Sequence, residues 1–230
     1  ASRGRVGTMP ARTRAFAMPH HVVDPATANA DFLLAHAAPA RIGLAGGSAF
    51  IDRGIRRAQR PIAAADGSAW SHAFLFGETR SDGHCWVLES DLDLKPKQVR
   101  LGAQENRLDK YYGAAAWPNL AVLDFGLDAA RSRQVLAAAL DLLARAAHYS
   151  LREILGTALA MARPGLRTRD NLLAREGALY CSAFVQHCYA AAGIDFVPGL
   201  ALKNTTPHDI ARSAVPHRAW TLQRAAGALR

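Results

Sequence analysis

The stretch Ala178–Gly193, Ala-Leu-Tyr-Cys-Ser-Ala-Phe-Val-Gln-His-Cys-Tyr-Ala-Ala-Ala-Gly, decides how this chain is read. Phe184, Val185, Cys188 and Tyr189 recur at helical spacing and Gly193 is a natural stop, so a helix of about three turns is expected to begin at Cys181. A thiol at that position meets unpaired N–H groups and the positive end of the helix dipole, which favour the nucleophilic thiolate. Burial of the apolar face would hold this terminus rigidly against a sheet. Cys188, farther along the same helix, and Cys85 read as core. Cysteine chemistry also needs a histidine to share the proton and a third polar group to fix the imidazole.

Both lie upstream. Ser71–Phe76, Ser-His-Ala-Phe-Leu-Phe, is aromatic-rich and flanked by Gly67-Ser68 and Gly77, the pattern of a buried strand opened by His72. After a turn at Ser81-Asp82-Gly83, Cys85–Ser90 is a second strand carrying Glu89. An antiparallel hairpin closed at that turn would bring His72 and Glu89 near each other on adjacent strands, although the spacing leaves the register open.

Together, Ser71-His72-Ala-Phe-Leu-Phe, Trp86-Val-Leu-Glu89-Ser and Tyr180-Cys181-Ser-Ala-Phe-Val resemble the circularly permuted NlpC-like papain-fold cysteine hydrolases, the YiiX/YaeF-like group. That group is related to the lecithin:retinol acyltransferase-like proteins, and its histidine precedes its cysteine, the reverse of papain. The resemblance covers about residues 41–212. It implies an α+β, permuted papain-like (NlpC-type) fold, with an antiparallel sheet packed against helices. It further implies Cys181 as nucleophile, His72 as base and Glu89 as orienting acid. Tyr180, Ser71, Trp70 and Ser182 flank these positions and are expected to shape the substrate cleft or the oxyanion site. Two positions depart from the family pattern: Gly46-Gly47-Ser48 replaces a Gly-Asp, and Phe74 stands where a glycine is usual. The implied activity is hydrolysis of a peptide or cell-wall stem-peptide amide through an acyl-enzyme. A lipid-directed acyltransferase or thioesterase of the same fold is the alternative, and a non-catalytic binding module is the alternative of another class. No cofactor is expected, and the histidines show no zinc-ligand spacing.

The rest of the chain supplies the scaffold. Residues 1–24 are rich in Arg, Pro and Ala and read as a mobile basic arm, with residues 25–230 as a single hydrolase domain. A short helix is expected over Thr27–His36, a turn at Gly43, Gly46 and Gly47, and an amphipathic helix over Ile51–Ala65. Further strands are expected at Lys97–Leu101 and Leu120–Phe125. Asp128 should cap a helix running to about His148, with Val135, Leu136, Leu140 and Leu143 as its apolar stripe. Ser150-Leu-Arg-Glu153 reads as a capping box, Arg163–Arg175 as a solvated basic loop and Thr206-Pro-His-Asp209 as another helix start. The alternative use of Arg163, Arg167 and Arg169 is to attract an anionic substrate group or a lipid surface.

Composition limits the remaining possibilities. The 230 residues are 50% hydrophobic and 20% charged, enough for a sizeable core and unlike disordered or coiled-coil chains. The net charge of +9 is uneven: +6 over residues 1–60, −4 over 61–128 and +7 over 129–230. Arg outnumbers Lys 24 to 4 beside 48 Ala, as GC-rich coding produces without selection for a polyanion, and no nucleic-acid-binding motif accompanies the charge. Three cysteines do not make a disulfide framework. No intact signal peptide or membrane-spanning run is read, and a periplasmic or cell-envelope location would fit a signal already removed.

Overall fold

The computed structural model describes residues 19–63, 68–95, 98–145 and 181–224. Its elements in chain order are β1 (His20–Val22), α1 (Asn29–His36), β2 (Ile42–Gly46), α2 (Phe50–Ala58), β3 (His72–Thr79), β4 (Cys85–Lys95) and β5 (Gln98–Arg107). A 3-10 turn (Leu108–Tyr111) follows, then β6 (Asn119–Asp124), α3 (Ala129–Ala144), α4 (Cys181–Ala191), a second 3-10 turn (Leu202–Asn204), α5 (Pro207–Ala211) and β7 (Arg218–Gln223). The architecture is α+β. The strands form one sheet of seven in the order β1-β7-β6-β2-β3-β4-β5.

The expected hairpin forms. β3 and β4 pair antiparallel with Phe74 opposite Glu89, and the reversal is closed by Gly83 N–H donating to the Arg80 carbonyl at 2.9 Å. The sheet departs from the wholly antiparallel one expected, because β1 runs parallel to β7 while the other neighbours are antiparallel. Strand β1 comes from the stretch read as an arm. The Val23 N–H reaches the Thr221 carbonyl at 2.8 Å and the Ala219 N–H reaches the Pro19 carbonyl at 2.9 Å, so the arm reading does not hold for residues 20–22.

A second correction concerns the glycines read as a turn. Ile42–Gly46 is instead the central strand β2, buried along its whole length between β6 and β3. Gly43 is there for space: a Cβ on it would lie 2.1 Å from the ring of its cross-strand partner Phe74. The aromatic ring that departs from the family pattern is thus accommodated by a missing side chain on the neighbouring strand.

Both faces of the sheet are covered. Ile42, Leu44, Leu75 and Leu123 face one core with side chains of α3 and α4, whereas Phe74, Phe76, Val87 and Leu120 face another with Phe32 and Leu33 of α1 and with Tyr111. On α3 the Asp128 side chain accepts from the Arg131 N–H at 2.8 Å, the expected cap. Its buried stripe is Val135, Ala139 and Leu142, and Leu140 is 50% exposed, so the stripe is turned from the one read in the sequence. Both sets satisfy helical spacing, and Ala139 is buried in the same core as the helix Cys181–Ala191. Helix α2 ends at Ala58, earlier than expected, with Pro61 close behind it.

Helix α4 is buried along Phe184, Val185, Cys188 and Tyr189, as its spacing predicts, and Gly193 leaves it at a φ of 74°. Each of these larger side chains contributes about 1.5–3 kcal/mol by leaving water. The Tyr189 hydroxyl donates to the Ala40 carbonyl at 2.6 Å, tying the helix to the entry of β2. Thr206 and Asp209 form the capping box at α5. The Ser150 capping box, Arg163–Arg175, Tyr180 and residues 1–18 lie outside the described residues. Among those described, no helix is long and apolar enough to cross a membrane.

Candidate active site

Cys181 is the first residue of α4, and α4 packs against β3 and β4. His72 is the first residue of β3, so strand and helix present these side chains from their ends. The Cys181 side chain lies near enough to the His72 ring to act on its protonation. Cys181 is also the one partly exposed cysteine, whereas Cys85 and Cys188 are buried and burial pushes both of their thiols up.

The histidine is held from behind. Its Nε2 lies 2.6 Å from Glu89 Oε2, which leaves Nδ1 as the ring nitrogen for Cys181. The register explains the reach: Glu89 is opposite Phe74, and His72 lies two residues along β3, on the same face and one diagonal step away. Tyr111 stacks on Phe74 with centroids 4.3 Å apart and lies 6.2 Å from the His72 ring, so aromatic packing fixes the imidazole plane as well.

Glu89 is 0% exposed. A carboxylate removed from water must have its lone pairs satisfied, and here four donors reach it. Oε2 accepts from His72 and from the Tyr111 hydroxyl; Oε1 accepts from Asn106 Nδ2 at 2.6 Å and from Lys110 Nζ at 2.8 Å. Lys110 also pairs with Asp91. Burial alone would raise the Glu89 carboxyl, but the Lys110 ammonium and the His72 hydrogen bond hold it far below the usual carboxylate range. Burial likewise works against a charged His72 ring. The Cys181 side chain, then Glu89 and Asp91, outweigh it and raise the ring well above the ordinary 6.5. An imidazole placed near both a carboxylate and a sulfur can exchange a proton with that sulfur.

Of the residues singled out in the sequence, His72, Glu89 and Cys181 come together. Three flanking residues are engaged in the scaffold. Ser71 is buried, donating to Asp52 Oδ1 at 2.7 Å and accepting from the Gly47 N–H at 2.9 Å. Trp70 is packed in the core, and its carbonyl accepts from the buried Gln59 side chain at 2.8 Å. The Ser182 hydroxyl donates to the Thr205 carbonyl at 2.6 Å. These three side chains or carbonyls tie the strand and helix ends to the scaffold. Tyr180 lies outside the described residues.

Sequence reasoning missed Asn106, Lys110 and Tyr111. Asn106 belongs to β5 and the other two to the turn that follows, where no hydrophobic period marks them. Their proximity to Glu89 follows from the pairing of β4 with β5, in which Glu89 is opposite Gln104.

No protein-family model and no curated protein matches this chain. Among solved structures it is similar to the crystal structure of the metalloprotein yiiX from Escherichia coli O157:H7, DUF1105, with a TM-score of 0.50 and 13% identity over 80% of this chain and 96% of that one. At that identity the likeness concerns the fold alone, and the fold of this chain is YiiX-like.

Proposed function

We propose that this chain is a cysteine hydrolase with a permuted papain-like, NlpC-type catalytic arrangement, cleaving an amide of the peptide or cell-wall stem-peptide type. The observation that carries the reading is the buried His72 ring, hydrogen-bonded to Glu89 at 2.6 Å and within electrostatic reach of Cys181 at the first residue of α4. In this mechanism the Cys181 proton passes to His72 and the thiolate attacks the carbonyl carbon, forming the C–S bond and moving the π electrons onto oxygen. N–H groups in the first turn of α4, which lack intrahelical partners, hold that oxyanion. Collapse breaks the C–N bond while His72 gives its proton to the departing amine. Water, deprotonated by His72, then attacks the thioester, releasing the acid and regenerating the thiol. Glu89 keeps the ring oriented and stabilises its positive charge throughout.

The structural neighbour is called a metalloprotein, and the residues of this site do not fit a resident metal ion. The four donors around Glu89 occupy both of its oxygens, and Lys110 is bound between Glu89 and Asp91 where a divalent cation would have to displace it. Among the described residues no three His, Cys, Asp or Glu side chains gather as a metal site would need.

One observation favours the lipid-directed acyltransferase or thioesterase as a second reading. Helix α2 exposes Phe50 at 86% and Ile51 at 43% beside the exposed Arg53 and Arg57, a surface suited to an anionic bilayer. The test compares amide-linked peptides with acyl esters presented in anionic vesicles, using wild type and Cys181→Ala. Hydrolysis of the peptides that falls about a thousandfold or more in C181A supports the first reading. Turnover confined to the vesicle-borne esters supports the second, and full activity in C181A overturns both.

A further inference from the structure

The hydrolase reading assigns roles to His72, Glu89 and Cys181 and leaves Lys110 without one. Lysine is an unusual neighbour for a buried carboxylate that already receives three other hydrogen bonds. Its stem leaves the 3-10 turn Leu108–Tyr111, which is pinned on both sides: the Trp117 indole N–H donates to the Lys110 carbonyl at 3.0 Å, and the Asn29 amide donates to the Tyr111 carbonyl at 2.9 Å. The ammonium is therefore delivered to a fixed point. There it pairs with Glu89 Oε1 at 2.8 Å and with Asp91.

Resting on the hydrolase reading, we propose that Lys110 is a positioning residue whose ammonium, shared by Glu89 and Asp91, keeps Glu89 ionised so that its other oxygen can hold His72 toward Cys181. The groups that face Glu89 support this division of labour. From β3 comes His72; from the 3-10 turn, Lys110 and Tyr111; from β5, Asn106, with Gln104 directly across the ladder; and Asp91 lies beside it on β4. Cys181 of α4 also acts on the His72 ring. Apart from His72, Lys110 supplies the one positive charge in this set. Tyr111 and Asn106 are neutral donors that satisfy lone pairs without offsetting the second carboxylate, Asp91.

The alternative fate of Glu89 is protonation. A neutral carboxyl can no longer accept from four donors, since one oxygen carries its own hydrogen. His72 would then lose its acceptor and its fixed orientation. Lys110 opposes this as the pH falls, so it governs the acid side of the pH profile and leaves the chemistry at the sulfur to Cys181 and His72. An opposite charge at this distance moves a carboxyl by about one to three pH units.

The test is the rate of Cys181 alkylation by iodoacetamide across the pH range, followed by intact mass, with buried Cys85 and Cys188 as internal controls. Lys110→Gln keeps length and a donor but removes the charge; Lys110→Arg keeps the charge. The proposal predicts that the acid limb of K110Q moves upward by about one pH unit or more, while K110R stays within about 0.3 unit of wild type. An acid limb unmoved in K110Q, or a rate lowered by one factor at every pH in both variants, overturns it. A wild-type profile in which Cys181 reacts as an ordinary free thiol overturns the hydrolase reading itself, and the Lys110 proposal with it. A second measurement needs no variant. Acylation of Lys110 by an amine-directed reagent, mapped by peptide mass, should be at least about tenfold slower in the folded protein than in urea, because a clamped ammonium rarely presents a free amine. Equal rates would overturn the proposal.

Discussion

Two buried regions of the sheet hold together by opposite means. Under α3 and α4 the contact surface is hydrocarbon, built from Leu44, Leu75, Phe184 and Tyr189. On strand β4, Glu89 is just as inaccessible, yet it is a charge surrounded by donors. The apolar layer stabilises in proportion to the area it removes from water. The polar cluster gains little net stability, since removing its charges from water offsets most of their mutual attraction. Its return is geometric: four donors from three elements fix one carboxylate, which fixes one imidazole. The difference teaches that the apolar layer supplies the rigidity on which the polar cluster depends, and that the two should fail differently when disturbed.

The contrast is most sharply broken by truncating one residue from each region. Glu89→Ala leaves Tyr111, Asn106 and His72 without their carboxylate acceptor and Lys110 with Asp91 alone, and should cost about 3–5 kcal/mol, with hydrolysis reduced about a thousandfold or more. Phe184→Ala should cost a similar 3–5 kcal/mol through the cavity it creates, while the folded fraction keeps the wild-type pH profile. Urea unfolding and pH-rate curves measured on both variants separate the two modes. If F184A moved the pH profile as E89A does, the regions would not be independent.

A smaller effect sharpens the electrostatic side. Glu89→Gln preserves shape but removes the charge that helps to raise His72. The alkaline limb of activity should then move to lower pH, because the ring loses its proton sooner. The sign for stability follows from the same shift. With the folded His72 value above 6.5, the stabilisation from its proton is complete below about pH 6.5 and lost as pH rises through the raised value. The stability difference between wild type and E89Q should therefore be larger near pH 6 than near pH 9, by urea titration at about those two values. The smallest effect is expected at Thr206→Ala, which removes the α5 cap and none of the donors to Glu89. It should cost about 1 kcal/mol in the same titration and leave both limbs of the pH profile in place.

Much of this arrangement was legible in local sequence pattern. Cys181 at a helix start, the buried face of α4, the His72 and Glu89 strands, the Asp128 cap and the Thr206–Asp209 capping box are all set by residues within a few positions of one another. What local pattern could not supply was anything decided across the sheet. Ile42–Gly46 reads as a turn because its glycines break hydrophobic periodicity, and only the ring of Phe74 on the next strand explains Gly43. Strand β1 is three residues long and exposed, so it carries no apolar signal. Lys110 and Asn106 are ordinary polar residues until β4 and β5 pair. For Ser71, Trp70 and Ser182, adjacency in sequence did not reveal the scaffold hydrogen bonds that their side chains or carbonyls complete with Asp52, Gln59 and Thr205.

The central claim, that Cys181 is a nucleophile activated by His72, is tested most directly by intact-mass analysis after exposure to a chloroacetyl-peptide electrophile. Wild type, Cys181→Ala and His72→Ala are compared under native conditions. The account predicts one adduct, mapped to Cys181, absent in C181A and formed about a hundredfold more slowly in H72A. An adduct at Cys85 or Cys188, or an unchanged rate in H72A, would contradict it.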